Sequence, residues 1–550
     1  MSQDEPVPGE RGKGGAEMRL KGYRLLLALC AAAVVIGVSG ALMWNRWQEQ
    51  ERGSAEDRDS GVFYEIFVRS FHDSDGDGIG DLNGVTAKLD YLESLGISGI
   101  WLMPVHPSPS YHGYDVTDYY GINPDYGTME DFERLIREAH RRNIKIIMDL
   151  VVNHTSREHP WFVESAQHPD SPKRNWYHWV DDTADVSKIS AIGGKAWHRK
   201  NGAYYLGIFW EGMPDLNLDH PEVRAEIIRI GQFWLKKGVD GFRLDAAKHV
   251  YEDFQGDNKR KDILQKNVQW WQEFRKGLDE VNPDAYLVGE VWDSATVVAQ
   301  YLDHAFDAGF HFELAGQLLQ AAKSEKAFDI GFKLQRVYEY FAKVSGGTFE
   351  KDAPFLTNHD QNRVMTELGG NVNHAKTAAA MLLTLPGNPF VYYGEEIGMQ
   401  GAKPDEHIRE PMRWYAHDRD PADRTGQTSW MRPRYNLEDG VSVEEQERDP
   451  NSLLQHYRTL IHWRKREPVL AEGGIEAYAV DNPHVVSFIR KTETERALVL
   501  HNLAGEVQAV RLKMDWSNGK KANIVLSTSA EAELADDRIV LPPYSSVVLK

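Results

Sequence analysis

Residues 239–249 read VDGFRLDAAKH. A short run of apolar and small residues ends in Arg243 and Asp245, and a polar turn with Lys248 and His249 follows. A buried run that stops in charged side chains and then gives way to helix is how a parallel strand presents a site at its C-terminal end. The same grammar recurs along the chain. Strand-like runs fall at 62–71, 97–104, 144–152, 239–246, 285–292, 309–314, 354–360 and 389–395. Helical patterns alternate with them at 85–95, after Met129, and at 221–237, 268–281, 327–344, 375–385 and 453–466. After Met129, for example, Phe132, Leu135, Ile136 and Ala139 repeat at i, i+3, i+4 and i+7. Eight strands separated by helices predict an α/β chain built as a (β/α)8 TIM barrel. A doubly wound open sheet would carry a glycine-rich dinucleotide turn after a strand, and none is present.

Reading only the strand ends gives four acidic segments. The third strand ends in Asp149-Leu-Val-Val-Asn153-His154, and the fourth in the Asp245 segment. The fifth ends in Gly289-Glu290-Val-Trp292, and the seventh in Asn358-His359-Asp360. Four carboxylates on one barrel rim repel one another and raise at least one pKa, a cost expected only where chemistry uses it. Two carboxyls about 5 Å apart serve retaining glycoside hydrolysis, one as nucleophile and one as proton donor. A carboxyl kept protonated by acidic neighbours supplies that proton near neutral pH.

These four segments, in this order and at these strand ends, resemble the signature segments of the α-amylase family of glycoside hydrolases (family 13) over about residues 62–550. The resemblance implies a catalytic barrel (61–154 and 218–470), a domain B inserted after the third strand (155–217), and a β-sandwich domain C (471–550). Short β-prone runs at 485–490, 497–502, 507–512 and 545–549 agree with the last. Carried over by position, the resemblance makes Asp245 the nucleophile, Glu290 the general acid/base and Asp360 the third essential carboxylate, gripping the sugar at the cleavage point. Arg243 would support Asp245, His154 and His359 would bind the same sugar, and Tyr114 would stack beneath it. Lys248 and His249 would line the leaving-group side, while Asp149 would act as a scaffold acid. Met213-Pro214-Asp215-Leu216-Asn217 lies between the forms typical of oligo-1,6-glucosidases and neopullulanases. Exo-acting relatives place an aspartate three residues before the stacking tyrosine and pair it with an arginine. Here Tyr111 stands at that position while Arg409 resembles the arginine. Half of the clamp is missing, so cleavage within α-1,4-glucan chains is expected. α-Glucosidase, neopullulanase-type hydrolase and glucan transferase are the alternatives.

A second motif is Asp73-Ser-Asp75-Gly-Asp77-Gly-Ile79-Gly-Asp81. Carboxylates alternating around glycine turns offer hard oxygen ligands of the kind Ca²⁺ takes. An EF-hand would carry glutamate at its twelfth position, where this chain has Gly84. The loop resembles the calcium loop of oligo-1,6-glucosidases, which implies Ca²⁺ on Asp73, Asp75, Asp77, Asp81 and the carbonyl of Ile79.

The formal net charge of −20 excludes nucleic acid as a natural partner and suits a neutral α-glucan polysaccharide or oligosaccharide. A monomer is expected. Residues 25–44 (LLLALCAAAVVIGVSGALMW) are uncharged and long enough to span a bilayer, after Arg19, Lys21 and Arg24 in a 1–24 segment. They predict a single-pass anchor with its N-terminus inside, or a signal cleaved near Gly40; a lipoprotein site at Cys30 fits less well. Residues 45–60 are polar and aperiodic and read as a tether. Each option places the catalytic part outside the cytoplasm. Non-catalytic transporter heavy chains share this layout but use a cysteine outside the membrane, whereas the only cysteine here, Cys30, lies inside the apolar run.

Overall fold

The computed structural model describes residues 61–251, 260–345, 351–438, 440–517 and 521–550. The anchor or signal segment at 25–44 and the tether at 45–60 lie outside them. Among the described residues, no helix is long and apolar enough to cross a membrane.

Eight parallel strands form the barrel. They are β1 (Phe63–Ile66), β2 (Gly99–Leu102) and β3 (Lys145–Leu150), then, after the inserted strands β4 (Trp179–Val180), β5 (Trp197–Lys200) and β6 (Ala203–Leu206), β7 (Gly241–Leu244), β8 (Tyr286–Gly289), β9 (Ala308–Phe310), β10 (Asp352–Ala353) and β11 (Phe390–Tyr392). The order is β10-β9-β8-β7-β3-β2-β1-β11. The ends are drawn together by a parallel bridge between Phe355 and Phe390, with the Phe390 N–H donating to the Pro354 carbonyl at 2.9 Å.

Two strand expectations are too long. The run at 354–360 contributes pairing only around 352–355, because Pro354 has no N–H to give a ladder. The run at 309–314 turns helical at Phe312, where Leu, Ala and Gln repeat with helical period through Ser324. Helix Phe312–Ser324 is thus an element the sequence reading missed.

Side chains alternate along each strand, so every second residue enters the barrel. Phe63, Trp101, Ile147, Tyr286, Val288, Phe310 and Phe390 form an apolar plug there. The Phe63 ring stacks on Tyr286 (5.1 Å, 15°) and on Phe390 (4.9 Å, 14°). One pleat further towards the C-terminal mouth, the inward positions are Glu65, Asp149, Arg243 with Asp245, and Glu290. The plug is therefore the floor of the site. Gly241 allows the close approach of β7 to β8, since a Cβ there would meet the Tyr286 carbonyl oxygen at 2.0 Å.

The segment between β3 and β7 carries a small antiparallel sheet, β4-β6-β5, with helix Pro160–Gln167 beside it. It is stitched to the end of β3 by the bridge between His154 and Asp215 and by the Leu216 N–H on the Asn153 carbonyl (2.9 Å). Beyond the barrel lie β12 (Gly474–Ala477), β13 (Val485–Lys491), β14 (Arg496–Asn502), β15 (Gln508–Arg511), β16 (Ile524–Ser527), β17 (Glu533–Ala535), β18 (Arg538–Leu541) and β19 (Ser546–Leu549). They form a five-stranded sheet, β12-β13-β14-β19-β16, and a three-stranded one, β15-β18-β17. A shared core including Ile489, Leu498, Val510, Ile539 and Leu549 lies between them, giving a sandwich.

Candidate active site

The mouth of the barrel opens into a cleft of about 780 Å³, lined by Tyr114, His154, Asp245, Glu290, Asp360 and Arg409 among others. Arg243 lies beneath the cleft, fully buried, and holds the carboxyls of its floor. Its Nη1 donates to both Asp149 oxygens (3.0 and 3.2 Å) and to Asp245 Oδ1, and its Nη2 lies 2.8 Å from Glu290 Oε2. Three carboxyls thus share one guanidinium. Burial pushes Asp245 and Glu290 above the ordinary carboxylate range against the pull of Arg243, and lifts Asp149 to about 7. Such a set titrates as a unit and keeps a proton where isolated carboxylates would have lost it.

The turn after β7 aims two of these groups at each other. Ala246 holds a left-handed conformation (φ 45°), which a non-glycine residue adopts at a cost. The turn points the Ala246 N–H at Glu290 Oε2 (2.9 Å) and the Ala247 N–H at the Glu290 carbonyl (3.0 Å).

Opposite stands a second charged group. His359 Nε2 lies 2.6 Å from Tyr114 Oη and 3.2 Å from Asp360 Oδ2. The Tyr114 hydroxyl donates to Asp149 Oδ2 at 3.0 Å, and its ring stacks on His359 (5.4 Å, 11°). Arg409 Nη2 bridges Asp360 Oδ1 (2.9 Å) and Asp405 Oδ2 (3.1 Å). Burial would raise Asp360, but His359 and the two arginines hold it far below the usual carboxylate range.

The remaining sequence-assigned residues lie on the same walls. His154 reaches the cleft, but its Nε2–H is engaged by the Tyr114 carbonyl (3.0 Å), and burial keeps the ring neutral with a pKa of about 4. A sugar hydroxyl would have to share that donor. Lys248 Nζ donates to the Trp292 carbonyl (2.8 Å), and His249 lies edge-on to Phe209 (5.4 Å). Trp210 and Trp292, each 48 % exposed, flank the cleft, whereas Trp176 is buried within the insertion. Tyr111 does not line the cleft; it stacks on Trp430 (5.3 Å, 23°).

Three participants escape the sequence reading. Trp101 donates to Asp149 (3.2 Å), Glu65 accepts from His359, and Asp405 pairs with Arg409. Glu65 does leave a signal, a lone acid inside the apolar first strand. Asp405 belongs to no motif and leaves none.

In the acidic loop, Asp73, Asp75 and Asp81 bring carboxylate oxygens within 4.8 Å of one another, a hard-oxygen donor set that fits Ca²⁺. Asp77 lies outside that group of three. Each aspartate caps its own turn, and Asp77 Oδ1 is spent on the Ile79 N–H at 2.7 Å.

Comparison with known proteins agrees with this geometry. Residues 65–473 match the family description "Alpha amylase, catalytic domain", and residues 485–548 match "Alpha-amylase SusG C-terminal domain". The chain is 46% identical to "Alpha-amylase 3" of Dictyoglomus thermophilum, over 89% of this chain and 93% of that protein. It is 33% identical to the "Oligo-1,6-glucosidase" of Heyndrickxia coagulans, over 80% and 91%. The crystal structure of the α-amylase from H. orenii superposes with a TM-score of 0.81 at 44% identity, covering 89% of this chain and 99% of that one. A barrel whose mouth gathers Asp245, Glu290 and Asp360 around two buried arginines, matched along most of its length, places this chain in the α-amylase family of glycoside hydrolases.

Proposed function

We propose that the chain is a retaining, endo-acting hydrolase of α-1,4 bonds in starch, glycogen and maltooligosaccharides. The carrying observation is the shared grip of Arg243 on Asp245 and Glu290. Neighbouring nitrogens of one guanidinium hold the two carboxyls close, as in retaining enzymes at about 5 Å; inverting pairs stand about 6.5–9.5 Å apart to admit water. Asp245 attacks the anomeric carbon while Glu290 gives its proton to the departing glycosidic oxygen. Glu290 then takes a proton from water, which releases the sugar from Asp245 with its α-configuration kept. Asp360, held ionised, binds hydroxyls of the same ring.

Endo action is supported by the size of the cleft and by Trp210 and Trp292 along it, which suit a chain lying through the site rather than a single terminal glucose. One observation favours an exo-acting α-glucosidase instead: Asp405 gives Arg409 a carboxylate partner in the cleft wall although Tyr111 does not. A time course on amylose separates the two. Endo cleavage loses iodine colour before glucose accumulates; glucose as the main product from the first minutes means exo action.

In the same reading Asp73, Asp75, Asp77, Asp81 and the Ile79 carbonyl hold Ca²⁺, which stabilises the loop after β1 and takes no part in the chemistry. The apolar run at 25–44 supports an extracytoplasmic catalytic part, anchored or released.

A further inference from the structure

Glu65 is the one acid of β1, and the reaction above leaves it without a task. It is buried, inward-facing and directly above Phe63, with Oε1 2.5 Å from His359 Nδ1. Among the described residues its side chain makes no other hydrogen bond. The other edge of the ring meets Tyr114 Oη and Asp360 Oδ2. The ring itself is fully buried between Tyr114, stacked on it, and Trp101, edge-on at 5.5 Å.

Ionised carboxylates only accept hydrogen bonds, and a neutral imidazole has a single N–H. A neutral His359 could donate to Glu65 or to Asp360 but not to both, and Glu65, buried and with no other donor, could not be left facing a bare Nδ1. An imidazolium satisfies both. The single Nε2–H is then shared between Asp360 Oδ2 and Tyr114 Oη, and the Tyr114 hydroxyl gives its own proton to Asp149.

We propose that Glu65 is a positioning residue that holds His359 as an imidazolium and thereby fixes the donor direction of the Tyr114–His359–Asp360 wall of the site. This rests on the reading of Asp360 as the carboxylate that grips the sugar. The groups facing the ring are Glu65 from β1, Tyr114 from the loop after β2, Asp149 from β3, Arg243 and Asp245 from β7, and Asp360 from its own segment. Arg409 also faces it, with its Nε on the His359 carbonyl at 3.0 Å. The two guanidiniums oppose a third positive charge, and Asp360 is already shared with Arg409, whereas Glu65 serves His359 alone. Burial by itself would depress the ring; Asp360 and Glu65 outweigh it and carry the pKa to about 10.

Glu65→Gln keeps an acceptor on Nδ1 and removes only the charge. The ratio of variant to wild-type kcat/KM on maltooligosaccharides, in which the titration of Glu290 cancels, should fall about tenfold or more between pH 6 and pH 9. A ratio that is constant with pH, whatever its size, overturns the proposal and leaves Glu65 a packing residue. ¹⁵N-histidine NMR of the wild-type protein, with His359 assigned by its loss in His359→Gln, tests the charge without any substrate. Both ring nitrogens should be protonated at pH 8, and a neutral ring there overturns the proposal even if Glu65→Gln does not fold. If the wild type cleaves no α-glucan, the functional reading fails while the NMR result still decides the role of Glu65.

Discussion

Arg243 and the pair Arg464 and Arg490 are all buried, yet they live in opposite company. Arg243 at the barrel mouth is ringed by Asp149, Asp245 and Glu290. Arg464 and Arg490 sit where the barrel meets the C-terminal sheet, just before β11, and among the described residues they meet no carboxylate. Arg464 donates to the Leu385 carbonyl at 2.5 Å and to that of Gly387; Arg490 donates to Gly473 and Thr384 carbonyls. Burial lowers Arg464 to about 10 and Arg490 well below its usual value, whereas Arg243 is raised by its acidic neighbours. The histidines follow suit. His359 at the mouth is charged, while burial keeps His456 and His501 at the seam neutral, with pKa values of about 4 and 3. One end of the barrel collects charge for a reaction; the other spends guanidiniums to tie off carbonyls between two packed layers.

The comparison breaks first at the mouth. Asp245→Asn and Glu290→Gln should each lower kcat about 10⁴-fold or more while the melting curve keeps its shape, measured by initial rates on soluble starch and by thermal unfolding. Arg243→Lys keeps a cation but not the fork that holds two carboxyls, so kcat should fall about 10²–10³-fold at little cost in stability. At the seam the pattern inverts. Arg490→Met leaves the Thr384 and Gly473 carbonyls unpaired and should cost about 3 kcal/mol in urea unfolding, with kcat per folded molecule unchanged. Loss of kcat in that variant would erase the contrast.

Acid sharpens it. His456 and His501 have folded pKa values below the unfolded value of about 6.5, so between these the unfolded chain binds more protons. Their contribution is intact above pH 6.5 and is lost as pH falls towards 4 and then 3. The His359 contribution has the opposite sign: it is full below about 6.5 and fades as pH rises through about 10. His501→Gln should therefore flatten the acid limb of the stability curve and leave its alkaline limb alone. Smallest is the calcium loop, where EDTA should lower Tm by a few °C. Asp75→Ala should lower Tm alike and abolish the EDTA effect; if EDTA leaves Tm unmoved in wild type, the loop holds no stabilising cation.

The two regions also differ in how far the sequence discloses them. The mouth was legible because strand alternation and the strand-end rule place Asp149, Arg243, Asp245 and Glu290 on one rim without coordinates, whereas Asp360, in the loop well beyond β10, was legible only through its motif. Glu65 was within reach of the same rule. The seam was not: carbonyl acceptors at Thr384, Leu385, Gly387 and Gly473 are invisible in a sequence, since every residue has one. Asp405 escapes for a related reason, because a lone acid on a loop points where its own turn directs it. Helix Phe312–Ser324 was missed because its first turn continues the apolar run of β9.

The most direct test of the account is the anomeric form of the first sugar released, followed by ¹H NMR before mutarotation. The shared grip of Arg243 on Asp245 and Glu290 predicts an α-anomer at the earliest time points, relaxing slowly towards equilibrium. A β-anomer released first would mean that water attacks directly, and Asp245 could not be the nucleophile.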